Sequence, residues 1–486
     1  MEKRLFLAFS ITLVFFLVYS HVVAKFVPQP APVQGNSQQQ AVETRFNTFP
    51  AEISQEATPL VLEDEEESLE LPKISVGNFV VTYSTTGGYI KKIAIGEEEY
   101  ELPFQNIGLL PEDREKEFTF KLRGETLEFK GPEGETKEFN FQDYVLGIKI
   151  NPLPATPVVL FSNYLSPKVL DQRYQEIFYS QDKKIKRISP RKIKEVTYNS
   201  VKFSGARDRY YAISLLEGDY DLRWVSEGKK KAHLYLISPN NEIFLYLGPQ
   251  VEKELEVFGL QGIMYYGFFN GIAVWMIKLL YFFYGIFKNW GVSIVVFSAL
   301  ASLVLFPFTS KSSKAMRKMQ EIQPEVEELK TKYKDNPQKI QKETLGLYRK
   351  HKINPLGGCL PLFFQIPIIM AFYQIVYRFI GFRGASFLWI KDLASPDHLL
   401  QLPFPAPINY LNLLPVLLMI MGIVQQKITV SSPTASSQQK SMGLFFAVFI
   451  GVIFYGFPAA LTIYWLVQNI FTLSYQSRLS KAQQVK

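Results

Sequence analysis

Cysteine is almost missing from this chain. Cys359 is the only one in 486 residues, which excludes an intrachain disulfide and any multi-cysteine metal site. Histidine is scarce as well: His21, His233, His351 and His398 lie far apart in sequence and offer no metal-ligand spacing. No phosphate-binding P-loop occurs, so nucleotide hydrolysis is not expected and no cofactor is implied. Internal repeats are lacking, and the long apolar stretches are nearly free of charge at their centres. Both absences count against a solute transporter.

Apolar residues, by contrast, are abundant and unevenly placed. Hydrophobic types make up 47% of the chain and include 40 Phe, and they crowd into residues 5–24 and 264–475. The stretch between is mixed and polar. This is the pattern of a membrane protein carrying one soluble domain. The net charge of +8 fits nucleic acid or an anionic membrane surface. Because the excess sits beside apolar stretches, the membrane is the better reading.

Met1-Glu2-Lys3-Arg4 precedes an apolar run from Leu5 to Ala24. Positive charge ahead of such a run keeps the N-terminus cytoplasmic. A cleaved signal peptide is the alternative, with Val22 and Ala24 near a cleavage pattern. Signal cores are usually roughly 7–15 residues, so an uncleaved anchor over 1–25 is expected. Residues 26–60 read as a flexible linker, with Pro28, Pro30, Pro32 and Gln38-Gln39-Gln40. The segment Glu63–Glu67 is acidic and solvated. From about Ile74 to Val257 the signal turns to strand. Asn78–Tyr83, followed by Thr86-Gly87-Gly88-Tyr89, reads as strand, turn, strand, and Phe118–Leu122, Leu127–Phe129, Ala232–Leu236 and Glu242–Tyr246 alternate in the same way. Many short strands predict an all-β sandwich over 61–258.

Two apolar stretches then lie almost back to back, Ile272–Phe287 and Gly291–Phe308. The loop at 311–352 that follows carries Lys311, Lys314, Arg317, Lys318, Lys330, Lys332, Lys334, Lys339, Lys342, Arg349, Lys350 and Lys352. Such a loop belongs inside, so only one of the two stretches crosses. The first contains Lys278 and the interfacial aromatics Trp275, Tyr281 and Tyr284. It is read as an amphipathic helix on the outer face over 262–288. Leu360–Ile380, Leu411–Val424, Gly443–Phe457 and Ala459–Tyr475 complete six spans, counting the anchor. Both termini are then cytoplasmic, with a basic tail at 479–486. The two spans of 14 and 15 residues cover only roughly 20–23 Å. Either flanking residues lengthen them or the bilayer thins locally.

Within the basic loop, Pro324 suits a first helical turn and Glu325, Glu327 and Glu328 face the positive end of its dipole. Val326, Leu329 and Tyr333 make one apolar stripe. Asn336 is the expected N-cap of a second helix starting at Pro337, with Ile340, Leu347 and Thr344 on its inner face. This predicts a helical hairpin. It is either a solvated connector or a docking arm, with Lys330, Lys332, Lys334, Lys339, Arg349 and Lys350 as the contact residues. Charge alone does not separate RNA from anionic lipid.

Uncharged polar residues punctuate the spans: Ser298 and Ser302 one turn apart, Gln365 and Gln374 on the next span, and Tyr464, Gln468 and Asn469 on the last. Inside a membrane such groups need partners or water. They are read either as interhelical hydrogen-bonding groups or as the lining of a shared wet groove.

The segment Asn354-Pro355-Leu356-Gly357-Gly358-Cys359-Leu360-Pro361 breaks the hairpin where the chain meets the membrane. With Gln365-Ile366-Pro367 it resembles the YidC family of membrane protein insertases, of the Gram-negative type with a large periplasmic domain. Trp290-Gly291-Val292-Ser293-Ile294, Phe306-Pro307-Phe308-Thr309, Leu388–Leu393 and Phe457–Leu461 with Tyr464-Trp465 extend the resemblance over roughly 262–478. The resemblance implies a polytopic α-helical protein of the bacterial inner membrane with a five-helix insertase core over 289–478. It implies a periplasmic β-sandwich similar to sugar-mutarotase folds. The activity expected is insertion and chaperoning of nascent membrane proteins, without enzymatic chemistry, alone or with the Sec translocon and with the ribosome as a further partner. The expected substrate groove comprises Ser298, Ser302, Gln365, Pro367, Tyr464, Trp465, Gln468 and Asn469. The family usually places an arginine in the middle of the first core span. Aligned from Trp290-Gly291 and from Pro307, that position is Ser302 here, and no Lys or Arg lies between Gly291 and Thr309. The competing reading is a membrane-anchored carbohydrate-active or sugar-binding protein acting through the β-sandwich, where His233 is the one histidine.

Overall fold

Alternating strands separated by Gly-rich turns give way, past residue 265, to long apolar helices, and the computed structural model divides along the same line. It describes residues 71–484 apart from 97–99, 155–156, 165–168, 182–183, 194, 217, 228–230, 238–241, 335, 355–359, 404–408 and 430–436. The expectations for the anchor, the linker and the acidic run therefore lie outside the described residues. So do Pro355, Gly357, Gly358, Cys359, Pro405 and Pro407. One compact unit holds 58–265 with 377–381, and the other holds 266–376 with 382–486 among its described parts.

The first unit is all-β in its core, as the alternation predicts. Its strands are β1 (Lys73–Val76), β2 (Phe79–Ser84), β3 (Tyr89–Ile95), β4 (Tyr100–Ile107), β5 (Thr119–Arg123), β6 (Thr126–Lys130), β7 (Thr136–Gln142), β8 (Val145–Asn151), β9 (Val158–Tyr164), β10 (Glu176–Gln181), β11 (Lys184–Ile188), β12 (Val196–Val201), β13 (Ser204–Arg207), β14 (Tyr211–Leu215), β15 (Tyr220–Glu227), β16 (Lys231–Leu236) and β17 (Glu242–Pro249). Among the described residues they form two antiparallel sheets. One has the order β1-β2-β3-β4-β9-β16-β15-β12 and the other β11-β10-β13-β14-β17-β8-β7-β6-β5. Alternate side chains of both sheets meet in one apolar core. Val81, Phe104, Phe161, Trp224 and Leu234 of the first pack with Phe129, Phe139, Ile148, Ile213 and Leu245 of the second. Rings also cross between the sheets: Tyr83 stacks on Phe120 at 4.1 Å between centroids, and Phe79 meets Phe141 at 5.3 Å. The β2–β3 turn depends on Gly88, whose φ of 56° few side chains adopt. A Cβ there would lie 2.8 Å from the Phe118 ring. Two short helices, α1 (Val169–Gln172) and α2 (Glu252–Val257), decorate the sandwich.

The second unit comprises α3 (Asn270–Phe287), α4 (Trp290–Glu321), α5 (Gln323–Lys332), α6 (Pro337–Lys350), α7 (Leu360–Arg378), α8 (Leu413–Thr429), α9 (Ser437–Phe454) and α10 (Ala459–Gln484). The last two residues of α7 belong to the first unit. Among the described residues, α3 and α4 are long and apolar enough to cross a membrane, and α8 and α9 are shorter apolar helices. A pair of short strands, β18 (Leu400–Gln401) and β19 (Tyr410–Leu411), closes a hairpin in the 381–412 loop that the sequence does not announce.

The ends of four helices differ from the sequence reading. The helix expected to stop at Phe308 runs on to Glu321, because Ser310–Gln320 carries good helix formers and no breaker. The hairpin proper therefore begins at α5 rather than at residue 311. The spans of 14 and 15 residues are helices of 17 and 18 residues, extended by Gln425–Thr429 and Ser437–Met442. At 1.5 Å per residue they reach roughly 26–27 Å, but the added residues are mostly polar and leave the apolar part of each helix short. The last helix continues to Gln484, into the basic tail expected over 479–486.

The basic hairpin forms as its capping pattern predicts. Pro324 lies in the first turn of α5, and the Asn336 side chain accepts from the Lys339 N–H at 3.0 Å to cap α6. Val326 and Ile340 are buried and Leu329 and Tyr333 half-buried. His351, just past the end of α6, reaches Glu325 of α5 at 3.4 Å. The buried apolar contact between the two helices is small, and the Asn336 cap stabilises the second helix locally.

Candidate functional site

The helical unit is built by close backbone approach. At Gly291 a Cβ would sit 2.0 Å from the Phe387 side chain, so only glycine lets the first turn of α4 meet the 381–412 loop. The preceding Trp290 stacks on Tyr284 of α3 at 4.1 Å. Lys288, in the left-handed region at φ 52°, turns the chain between α3 and α4. The α8–α9 pair repeats the device. Gly422 faces Ala447 at 3.0 Å and Gly451 faces Met419 at 2.9 Å, measured from a built Cβ. Small residues of this kind let helices approach closely where lipid removes the hydrophobic drive.

The 381–412 loop holds the helix starts. Asp397, which is buried, accepts from the Leu413 and Leu414 N–H groups at 2.7 and 3.1 Å and from the Trp389 indole N–H at 3.1 Å. It thereby caps α8. Asn412 accepts from the His398 N–H and donates to the Tyr455 carbonyl. The Ser395 and Leu393 carbonyls accept from the Ala459 and Ala460 N–H groups at the start of α10. Sequence reasoning marked Trp389 only as part of a motif and missed Asp397 and Asn412. Their partners lie up to 43 residues away, a distance no local pattern reports.

Within the helices, the expected groove residues separate into two kinds. Gln365 on α7, and Tyr464 and Gln468 on α10, come together. The Gln365 Nε2 donates to the Tyr464 hydroxyl at 2.9 Å, and the Gln468 Nε2 donates to the same oxygen at 3.2 Å. Tyr464 is 0% exposed, with its ring 4.8 Å from Phe372 and 6.2 Å from Phe297. One buried hydroxyl thus joins two helices through an amide from each. The serines and Asn469 satisfy themselves. Ser298 donates to the Ile294 carbonyl, Ser302 to the Ser298 carbonyl and Asn469 to the Trp465 carbonyl, each four residues back on its own helix. Ser298 and Ser302 lie on the buried face of α4 with Ile294, Phe297 and Leu305. Pro367 stands inside α7, half-buried, where it removes one backbone donor. Trp465 packs on Phe454 at 5.4 Å.

On the hairpin, Lys330 pairs with Glu327 at 2.7 Å. Lys332 and Lys339 lie over the Tyr333 ring at 5.5 and 4.5 Å, while Lys334, Arg349 and Lys350 are exposed. Lys330 holds the Glu327 carboxyl below the usual carboxylate range.

In the sandwich, His233 is no open site. It is 2% exposed, with Nδ1 2.7 Å from Ser162 Oγ and Nε2 3.0 Å from Glu227. Among the described residues no group of three or more metal-type ligands occurs.

A family model described as 60Kd inner membrane protein matches residues 282–486, which takes in α4 to α10. The membrane protein insertase YidC of Pelobacter propionicus is 28% identical over 560 aligned residues, covering 99% of this chain and 99% of that protein. The chain is similar to the YidC insertases along nearly its whole length. Its relative in Syntrophobacter fumaroxidans, also a membrane protein insertase YidC, is 38% identical over 240 residues. That match covers 48% of this chain and spans only 42% of the relative's length. A solved structure described as an active YidC insertase aligns over 83% of this chain and 93% of its own, at 17% identity and a TM-score of 0.44. The Trp290-Gly291, Leu388–Leu393 and Tyr464-Trp465 segments that carry the resemblance are the contacts that assemble the helical unit.

Proposed function

We propose that this protein is a membrane protein insertase and chaperone. It accepts hydrophobic segments of nascent proteins from the cytoplasm and releases them sideways into the bilayer. The observation that carries the reading is the Gln365–Tyr464–Gln468 network, a polar joint between two helices where lipid-facing helices would carry none. Polar groups there lower the cost of a hydrophilic segment in transit, otherwise about 2.5–3.5 kcal/mol per central charged residue on insertion scales. The path is lined by Ser298, Ser302, Gln365, Pro367, Tyr464, Trp465, Gln468 and Asn469. No nucleotide is consumed and no catalytic residue takes part.

The arrangement in the membrane follows the charge bias. There are six spans, with α3 lying on the outer face and α4, α7, α8, α9 and α10 as the five-helix core. Both termini are cytoplasmic and the β-sandwich is periplasmic. The α5–α6 hairpin docks the ribosome, the nascent chain or lipid headgroups through Lys330, Lys332, Lys334, Lys339, Arg349 and Lys350, and the Sec translocon is a partner for larger substrates. The carbohydrate reading has no comparable support, because the sandwich's one histidine is buried among its own partners.

The deciding experiment is insertion of a radiolabelled small single-span protein into liposomes containing only this chain. Protease protection of the exported tail is expected above that of empty liposomes, and equality with them refutes the reading. Deletion of 60–250 should leave the activity in place, whereas a sugar-active protein would lose it. Cysteines placed at 330–350 should resist an impermeant thiol reagent outside intact cells, and labelling there would overturn the six-span arrangement.

A further inference from the structure

In the 381–412 loop, one residue is at odds with a water-exposed turn in both backbone and side chain. The Phe387 N–H donates to the Ile390 carbonyl and the Ile390 N–H to the Phe387 carbonyl, each at 2.9 Å. Leu388 and Trp389 therefore form a two-residue turn. Such turns put their first central residue at positive φ and favour Gly, Asn or Asp there. Here the position is Leu388, at φ 53° and 75% exposed. Its apolar neighbours turn inward instead. Ile390 is buried, and the Trp389 indole donates to buried Asp397. Leucine in the left-handed region is strained, and a side chain this exposed recovers little of that cost from packing within the chain. Strain of this kind points to a functional contact.

The surroundings identify the contact. Gly291 packs on Phe387, and the Asn289 Nδ2 donates to the Ser386 carbonyl at 3.4 Å. The turn is thus fixed to the first turn of α4, where a helix apolar enough to cross a membrane begins. Trp290 belongs to the same junction, with its ring on Tyr284, 5.4 Å from Tyr281 and 5.7 Å from Phe382. Phe282, Ile286 and Phe287 at the end of α3 are exposed, so Leu388 adds to an apolar surface already present at this end of α4. Lys288 and Lys391, next to these residues in the chain, are exposed as well. Aromatic rings and long basic side chains at the end of a span are the composition of a bilayer interface.

We propose that the Leu388 turn is a lipid-binding element. Leu388 enters the acyl chains just below the phospholipid headgroups and anchors the 381–412 loop to the outer leaflet. Such anchoring rests on the arrangement proposed above, in which α4 spans the bilayer and α3 lies on its outer face. Because Asp397 caps α8 and the Ser395 and Leu393 carbonyls hold the start of α10, the anchor sets the depth of both helix starts.

The test uses the full chain in liposomes of phosphatidylcholine and phosphatidylglycerol. In a Cys359→Ser background, nitroxide labels are placed singly through Leu388→Cys, Lys391→Cys and Trp275→Cys. Relaxation by oxygen, which concentrates in lipid, is compared with relaxation by a water-soluble nickel complex. The oxygen-to-nickel ratio should be several-fold higher at position 388 than at position 391, and close to that at position 275. A nickel-dominated label at position 388 overturns the anchor. If position 275 is then oxygen-dominated, α3 still lies in the interface and the turn alone is misassigned. If both are nickel-dominated, the outer-face arrangement of α3 falls too. Spin–spin broadening at position 388 would give the surface to a second copy and also overturn the lipid contact. The unmodified chain supplies a reading independent of how the variants fold. Phosphatidylcholine carrying a diazirine near its headgroup should attach to Leu388 on illumination, and attachment to α3 without Leu388 overturns the anchor.

Discussion

Replacing Tyr464 with Phe removes one oxygen and almost no volume. The ring keeps its neighbours Phe372 and Phe297, but the amides of Gln365 and Gln468 both lose their acceptor. Hydrogen bonds between helices in membrane proteins average about 0.6 kcal/mol and reach about 1.7, while a stranded buried donor costs about 1–3 kcal/mol. Both glutamines are only half-buried, so their amides find other partners in part. The expected loss is about 1–2 kcal/mol, or roughly 2–8 °C in thermal midpoint for a unit of this size. Gln365→Leu removes one donor from the same joint. In a double-mutant cycle the pair should couple by about 0.6–1.7 kcal/mol. Thermal unfolding in detergent, run beside liposome insertion of a substrate with a hydrophilic tail, gives both readouts. Additivity within about 0.3 kcal/mol would show that the joint does not hold the helices, and an unchanged insertion yield would separate it from the substrate path.

Three other outcomes follow from the same structure. Ser302→Arg should leave the protein folded and raise insertion of substrates with acidic exported tails over neutral ones, since attraction is strong where screening is weak; outright loss of thermal stability, or equal yields for the two tails, would refute a charge-accepting position there. Gly291→Ala should destabilise the helical unit by about 1–3 kcal/mol, as overpacking does, because its methyl meets Phe387 at 2.0 Å; Phe387→Ala should recover part of that loss, and an unaffected midpoint in the single variant would contradict the contact. Burial pushes the Asp208 carboxyl up to about 6, against the opposing pull of the Tyr210 and Tyr211 N–H groups and the Tyr100 hydroxyl. The folded state therefore holds a proton that the unfolded state releases near pH 4, so stability should fall by up to about 3 kcal/mol as pH rises from about 4 to 6 and then level off. Asp208→Asn should flatten that slope, and an unchanged profile by thermal unfolding across this range would rule the group out as its source.

The legible parts of the fold were those coded over a few residues. Alternation in Asn78–Tyr83 and Glu242–Tyr246 marked strands that form, the first within one residue of expectation and the second running three residues further, to Pro249, and Asn336-Pro337 marked a cap that is made. Helix ends were harder. Hydropathy stops at Phe308, whereas helix propensity continues through Ser310–Gln320 and decides the length. In the candidate site, spacing alone put Tyr464 and Gln468 on one face, and that pair does share a hydrogen bond. Spacing did not separate them from Ser298, Ser302 and Asn469, whose short side chains reach their own helix carbonyls first. That competition is local but depends on rotamer rather than on pattern. The Arg207–Glu176 pair, 31 residues apart, and the Gly291–Phe387 contact arise only from tertiary approach.

The double capping performed by the 393–397 segment has a consequence for the timing of assembly. Asp397 can cap α8 as soon as Leu413 and Leu414 have been made, but the Ser395 and Leu393 carbonyls wait for Ala459 and Ala460. During synthesis from the N-terminus, this loop thus remains half-engaged while about 45 further residues emerge. A chain halted before residue 459 would present an open loop to proteases, and one released after it would not. The last helix, which also brings Tyr464 to Gln365, therefore seals the loop and completes the polar joint in the same late step.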